Sequence, residues 1–189
     1  MRDFFRPVAT LLTGTVAAQV IVYAARPLLT RLFTPDDFGV LGFYAGFVAV
    51  VAAFASGKFE DALMLPHKDN HAWALAGASV LLSSVTAVLV LGLLPFRDLL
   101  APLVSNSVAL DMLLLAPLSV VFVGVARTAD AWLTRRELFA QVAKGRVVHA
   151  ASSVPTQTAA GATGWGPVGL IGGLVLGQAL QSAYYAVRS

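Results

Sequence analysis

The sequence predicts an all-α integral membrane protein with about six transmembrane helices. Hydrophobic residues occupy 58% of its 189 positions and charged residues 12%, with a mean hydropathy of +0.78, whereas soluble domains are about 25% charged. Uncharged runs of about 20 residues, the length that crosses a bilayer core, follow one another along the chain. Because they leave no room for a sizeable soluble domain, we expect residues 1–189 to form a single transmembrane helical bundle.

The apolar runs set the approximate bounds of the spans. We expect them at residues 7–29, 38–57, 72–96, 112–133, 147–164 and 167–187. The fifth is the most polar, because it contains His149, Pro155 and many small or hydroxyl side chains. An uncharged segment of this length is still more typical of a span than of a loop. Leucines within residues 97–111 predict a short interfacial helix between the third and fourth spans.

The distribution of lysine and arginine predicts the topology, since cytoplasmic loops carry the excess of these residues. With a cytoplasmic N-terminus, ten of the 13 Lys and Arg residues fall on the cytoplasmic side. We therefore expect a multi-pass protein with both termini in the cytoplasm. A basic cluster formed by Arg135, Arg136 and residues 144–146 is expected to meet anionic headgroups on that side.

Several function classes are disfavoured by what the sequence lacks. It has no cysteine, which excludes disulfides and thiolate metal sites, and its net charge of +3 is too small and dispersed to indicate nucleic-acid binding. The motif from Gly164 to Gly169 matches G-x-G-x-x-G, but no βαβ pattern surrounds it, so a tight turn is expected there. We find no catalytic motif and expect no enzyme activity, metal or cofactor.

Polar side chains form a stripe along one face of the first, third and fifth spans, at spacings of three and four residues. The stripes consist of Thr15, Gln19, Tyr23, Arg26 and Thr30; of Ser79, Ser83 and Thr86; and of His149, Ser153, Thr156 and Thr163. In a membrane such a face is stable against other helices or a wet cavity. We expect all three stripes to face a cavity.

Arg26 and Arg127 are predicted to lie at membrane depth, where an arginine costs about 2.5–3.5 kcal/mol at the centre of a span. Arg26 could instead reach the headgroups from its helix end, and Arg127 could neutralise Asp130 three residues on. If they face a cavity, both guanidinium groups suit a phosphate-bearing substrate. The tentative substrate-binding residues are Arg26, Arg127, Gln19, Tyr23 and His149.

Two local patterns concern the helices themselves. Glycines four residues apart predict close helix packing; they are Gly42 and Gly46 in the second span, and Gly169, Gly173 and Gly177 in the sixth. The segment Thr34-Pro35-Asp36-Asp37 predicts the start of the second helix, because it combines a capping residue, a proline and two acids.

Four segments together resemble the O-antigen flippases of the polysaccharide biosynthesis family, which belongs to the multidrug/oligosaccharidyl-lipid/polysaccharide exporter superfamily. Residues 29–39 (LTRLFTPDDFG) and 57–66 (GKFEDALMLP) are similar to the first two loops of that family. Residues 132–139 (WLTRRELF) resemble the basic loop after its fourth span, and the glycine-rich segment 169–178 resembles its sixth span. The likeness follows the family order along nearly the whole chain and corresponds to the family's N-terminal half.

The resemblance implies that the chain is one lobe of a two-lobe transporter. Such a protein would move an undecaprenyl-pyrophosphate-linked oligosaccharide across the bacterial inner (plasma) membrane by alternating access. Its expected partners are the lipid-linked oligosaccharide, membrane lipids, and either a second six-helix lobe or another copy of the chain. Because family members have about twelve or more spans, we do not expect one copy of this chain to flip its substrate.

Other interpretations stay open from the sequence. Within transport, the chain could belong to a peptidoglycan-precursor flippase or a drug exporter of the same superfamily. A different class is a non-transporting, truncated membrane scaffold that binds components of glycan assembly. A membrane-embedded glycan polymerase or ligase is less favoured, because such enzymes usually carry a large outer loop and the sequence predicts none.

Overall fold

The computed structural model describes residues 2–55, 57–63, 69–96 and 107–188, and the side chains of residues 10–55, 57–63, 70–96 and 107–188. Within these ranges the regular structure is entirely helical. The α-helices are α1 (Arg2–Leu32), α2 (Pro35–Ala55), α3 (Phe59–Ala62), α4 (Asp69–Leu93), α5 (Ser107–Met112), α6 (Ala116–Arg135), α7 (Phe139–Ala162) and α8 (Gly166–Arg188). The predicted all-α class is confirmed. Most of the expected interfacial helix, residues 97–106, lies outside the described residues.

Among the described residues, five stretches are long and apolar enough to cross a bilayer. They are Thr10–Leu32, Pro35–Ala55, Asn70–Phe96, Ser107–Arg135 and Gly166–Arg188, and they coincide with five of the predicted spans. The fifth predicted span overlaps α7, which begins earlier than predicted, at Phe139, and whose 24 residues would extend about 36 Å. Among the described helices, α7 is nevertheless too polar to join that group. The chain therefore has a multi-pass membrane character, and a sixth crossing stays a prediction.

The start of α2 follows the predicted capping pattern. The Thr34 backbone N–H and the Thr34 hydroxyl each donate to Asp37 Oδ2 over 2.8 Å, and the Asp37 N–H donates back to Thr34 Oγ1 over 3.3 Å. This reciprocal arrangement satisfies N–H groups that a helix start leaves without an intrahelical partner. It also fixes the turn between α1 and α2.

The helices pack in two connected groups. Helix α7 lies between α1 and α8, while α6 packs against α2, α4 and α8. The largest hydrophobic cluster joins α2, α6 and α8 through the buried side chains Tyr44, Val120 and Ile171. Tyr44 satisfies its buried hydroxyl through Ser119, at 2.7 Å between oxygens. Helix α1 therefore packs mainly against α7 and not directly against the largest hydrophobic cluster.

Glycines decide how closely α7 and α8 approach. A Cβ atom on Gly173 would lie 2.5 Å from Gln157 Cγ, and one on Gly177 would lie 2.9 Å from Ser153 Cβ. A Cβ atom on Gly169 would lie 2.5 Å from the Cβ of Ala160. By contrast, a Cβ on Gly42 or Gly46 would meet nothing within 4 Å. The close helix packing predicted at Gly42 and Gly46 is therefore not found among the described residues, because their face of α2 is open.

The polar stripe of the third span has a different role from the predicted one. Ser79 and Ser83 are completely buried. Ser79 Oγ lies 2.8 Å from Thr128 Oγ1, and Ser83 fits against Gly124 of α6. The expectation that this stripe faces a cavity is wrong for both serines, because α6 covers them and Thr128 hydrogen-bonds to Ser79. Small hydroxyl side chains commonly join membrane helices in this way. Thr86 is half-buried and donates to the Leu82 carbonyl of its own helix.

The G-x-G-x-x-G motif forms the turn between α7 and α8. Gly164 has φ +76° and Gly166 has φ +54°, a left-handed backbone region that side chains with a Cβ rarely adopt. Helix α7 ends at Ala162 and α8 begins at Gly166. The expectation of a tight turn is confirmed.

Candidate functional site

A polar pocket of about 480 Å³ opens between α1, α7 and α8, and we term it the α1–α7 pocket. Its lining consists of Thr15, Ala18, Gln19, Val22, Tyr23, Arg26, Arg146, His149, Ala150 and Gln181. Four of the five tentative substrate-binding residues therefore share one site. The polar stripe of α1 lies there from Thr15 to Arg26, but of the stripe predicted on α7 only His149 does. The expectation that the α7 stripe faces a cavity is wrong for Ser153, which is buried against Gly177 of α8.

Arg26 forms the positively charged part of the α1 wall. Its guanidinium carbon lies 4.4 Å from the centroid of the Tyr23 ring, a cation–π contact within one turn of the helix. Both side chains are exposed, Tyr23 by 56%. Stacking occupies the face of a guanidinium and leaves its in-plane N–H groups to hydrogen-bond an anion. The geometry thus suits a phosphate or carboxylate group in the pocket.

A charged network ties four helices together at one end of this pocket. Arg146 of α7 donates from Nη1 to Thr15 Oγ1 over 2.8 Å and from Nη2 to Asp130 Oδ2 over 3.3 Å. Tyr185 Oη of α8 lies 2.9 Å from both Asp130 Oδ1 and the Val142 carbonyl oxygen, so its single proton serves one of them at a time. The network connects α1 to α6, α7 and α8.

Arg127 lies in a separate pocket of about 570 Å³, which we term the α2–α6 pocket. Its lining consists of Ala53, Lys58, Glu60, Asp61, Arg127, Asp130, Ala131 and Thr134. Arg127 Nη1 donates to the Ala52 carbonyl of α2 over 3.4 Å. The structure therefore does not bring Arg26 and Arg127 into one site. The suggested Arg127–Asp130 pair is wrong, because Asp130 binds Arg146 instead.

Comparison with known proteins identifies the family. A family model described as polysaccharide biosynthesis protein matches residues 28–189. The chain belongs to this family. All four segments that carry the sequence resemblance lie within the match, so the predicted family is confirmed. Comparison with curated proteins and with solved structures gave no significant match.

The residues matched by the family model include the α7 and α8 walls of the α1–α7 pocket but not the α1 residues that line it. Arg146, His149 and Gln181 lie inside the matched region, whereas Gln19 and Arg26 precede its first residue. The α1 wall is therefore supported by the geometry of this chain alone. Within the described part of the chain, no group of three His, Asp or Glu side chains could hold a metal ion.

Two pocket residues of this polysaccharide biosynthesis protein were missed by sequence reasoning. Arg146 was assigned to a basic cluster at the membrane surface, and Gln181 was not considered. Arg146 precedes His149 by three residues, so the polar stripe of α7 could have been extended by one turn to include it. What the sequence could not show is that Thr15 and Asp130, distant in the chain, converge on its guanidinium.

Proposed function

We propose that this member of the polysaccharide biosynthesis family is one lobe of a flippase for an undecaprenyl-pyrophosphate-linked oligosaccharide, such as an O-antigen unit. The flippase would work by alternating access in the bacterial inner membrane, with both termini of this chain in the cytoplasm. The observation that carries the proposal is the α1–α7 pocket, which places Arg26 and Arg146 in a polar recess. Ionisable groups within membrane-spanning helices usually mark substrate or ion pathways.

The pocket offers groups for both parts of such a substrate. Two guanidinium groups can bind the pyrophosphate, because each presents paired N–H donors to phosphate oxygens. Gln19, His149 and Gln181 provide amide and imidazole groups, which can donate to and accept from sugar hydroxyls. Its volume of about 480 Å³ lies in the range of ordinary small-molecule sites.

The exposed polar residues of the α1–α7 pocket support a further part of the proposal, that another protein surface covers them. Gln19, Tyr23 and Arg26 are exposed on α1, and lipid cannot satisfy their hydrogen-bonding groups. We propose that a second six-helix lobe, or another copy of this chain, covers them and completes the transport path. In this proposal the protein binds and moves its substrate without changing it chemically.

The proposal is tested by ligand binding with a matched pair of arginine variants. The chain is purified in nanodiscs, and binding of farnesyl pyrophosphate is compared with binding of neutral farnesol by native mass spectrometry. Arg26→Gln should weaken farnesyl pyrophosphate binding about tenfold, the loss expected for a charge-assisted hydrogen bond. Arg31→Gln should have little effect, since Arg31 lies on the same helix outside the pocket.

The same preparation tests the two-lobe arrangement. Its mass in nanodiscs gives the number of chains, and flipping of a fluorescent lipid-linked oligosaccharide is measured in vesicles. We expect flipping from a dimer or from a complex with a second bundle, and none from a single copy. Equal binding of farnesyl pyrophosphate and farnesol would refute the pyrophosphate site. A monomer that flips substrate unaided would refute the lobe proposal.

A further inference from the structure

One ion pair contributes a residue to each of the α1–α7 and α2–α6 pockets. Arg146 lines the α1–α7 pocket, while its partner Asp130 lines the α2–α6 pocket. Their charged groups lie 3.3 Å apart, Nη2 to Oδ2. Each partner of the pair thus lines a different polar recess.

The geometry of the pair suits exchange rather than permanent closure. Its 3.3 Å separation exceeds the 2.7–2.9 Å typical of strong charge-assisted N–H···O bonds. The Arg146 and Asp130 side chains are 37% and 31% exposed, and such accessible pairs add little stability. A competing anion therefore has access to Arg146 and only a weak contact to replace.

Each partner is held by a second, uncharged group. Arg146 keeps the Thr15 hydroxyl at 2.8 Å, and Asp130 keeps the Tyr185 hydroxyl at 2.9 Å. If the pair opens, neither side chain loses all of its hydrogen bonds. Arg146 can therefore change its anionic partner while its guanidinium stays in place.

Cationic groups occur on both sides of the pair. The α2–α6 pocket contains Lys58 and Arg127, but also the carboxylates Glu60 and Asp61 beside Asp130, so its lining favours an anion less than that of the α1–α7 pocket. The α1–α7 pocket extends from Thr15 to Arg26, a distance of about 16 Å along α1. A phosphate that enters the α1–α7 pocket therefore meets two guanidinium groups, those of Arg26 and Arg146, and Asp130 is paired with the second.

We infer that Asp130 is the resting counter-ion of Arg146, and that a phosphate group displaces it on entering the α1–α7 pocket. This inference rests on the proposed function, which supplies the pyrophosphate. It assigns Arg146 as an anion-binding residue and Asp130 as the group that occupies its place when no ligand is bound. Arg26 and Arg146 then bind the phosphate in sequence.

The test measures inorganic pyrophosphate binding to the purified full chain in nanodiscs by isothermal titration calorimetry. Asp130→Asn should bind about fivefold more tightly, which corresponds to about 1 kcal/mol for removal of a partly exposed competing carboxylate. Arg146→Gln should bind about fivefold more weakly than wild type. The double variant Asp130→Asn/Arg146→Gln should match Arg146→Gln, because the carboxylate competes only for that guanidinium.

Asp61→Asn is the matched control for a general change in charge. Asp61 is also a carboxylate of the α2–α6 pocket. Its ion pair with Lys58, at 3.8 Å, is 73–78% exposed and so contributes little. Its removal therefore changes the net charge equally without releasing Arg146. Thermal unfolding of each variant identifies any that fail to fold, and Arg146→Gln tests the site independently of Asp130→Asn.

The outcomes separate this inference from the proposed function. Equal gains from Asp61→Asn and Asp130→Asn, or a gain that persists without Arg146, would refute the exchange. If Arg26→Gln weakens farnesyl pyrophosphate binding while both Arg146→Gln and Asp130→Asn leave pyrophosphate binding unchanged, the proposed function stands and the exchange falls. A gain in Asp130→Asn that requires Arg146 supports the exchange even if vesicle flipping is not observed.

Discussion

Gly173→Ala places one methyl group at a close approach of α7 and α8. Its Cβ would lie 2.5 Å from Gln157 Cγ, 3.0 Å from the Gln157 backbone nitrogen and 3.1 Å from the Ser153 carbonyl oxygen. The Gln157 side chain cannot move without risking its 2.9 Å hydrogen bond to the Leu170 carbonyl. Since two of the three atoms belong to the α7 backbone, the whole of α8 must shift away.

The expected cost follows from these contacts. Overpacking a close interface costs about 1–3 kcal/mol, and loss of the Gln157 hydrogen bond adds about 1 kcal/mol. Alanine recovers about 0.5–1 kcal/mol through its higher helix propensity. We therefore expect Gly173→Ala to lower the free energy of unfolding by about 1–3 kcal/mol.

Gly172→Ala provides the control one residue away. A Cβ there would meet nothing within 4 Å, so this variant should be neutral or more stable by up to about 1 kcal/mol. Unfolding is followed by tryptophan fluorescence as the fraction of sodium dodecyl sulfate in mixed micelles is raised. If the two variants unfold at the same detergent fraction, the close approach of α7 and α8 is not what limits stability.

Two further predictions concern topology and the start of α2. A phosphatase reporter fused after Lys68 or Ser189 should be inactive and one fused after Arg97 active, because both termini are predicted in the cytoplasm; activity at either of the first two positions would overturn this topology. Thr34→Ala removes two hydrogen bonds with Asp37 and should cost about 1 kcal/mol of unfolding free energy. Thr30→Ala in the last turn of α1 should change it by less than about 0.5 kcal/mol, so equal losses in the two variants would contradict the capping role.

Local patterns were sufficient for the helices and turns. The apolar runs predicted five spans that the structure also finds apolar enough to cross a bilayer. Thr34 and Asp37 marked the start of α2, and Gly164 and Gly166 marked the turn before α8. These features depend on residues only a few positions apart, so the sequence displays them directly.

The candidate site was predictable only in part. Gln19, Tyr23 and Arg26 lie on one face of α1 by helical periodicity alone, and that face does line the α1–α7 pocket. Ser79 and Ser83 follow the same periodicity on α4, yet α6 covers them completely. The spacing of polar residues fixes which side chains share a face, but the neighbouring helix decides whether that face is dry or open.

The sequence by itself determined the membrane character, the helical class and the family, because hydrophobicity, spacing and loop motifs are properties of short segments. Only the tertiary structure decided that Asp130 pairs with Arg146 rather than Arg127, and that Gly173 packs closely while Gly42 does not. These outcomes depend on which helices become neighbours. Contact between groups far apart in the chain is set by packing of the whole bundle, and no local pattern encodes it.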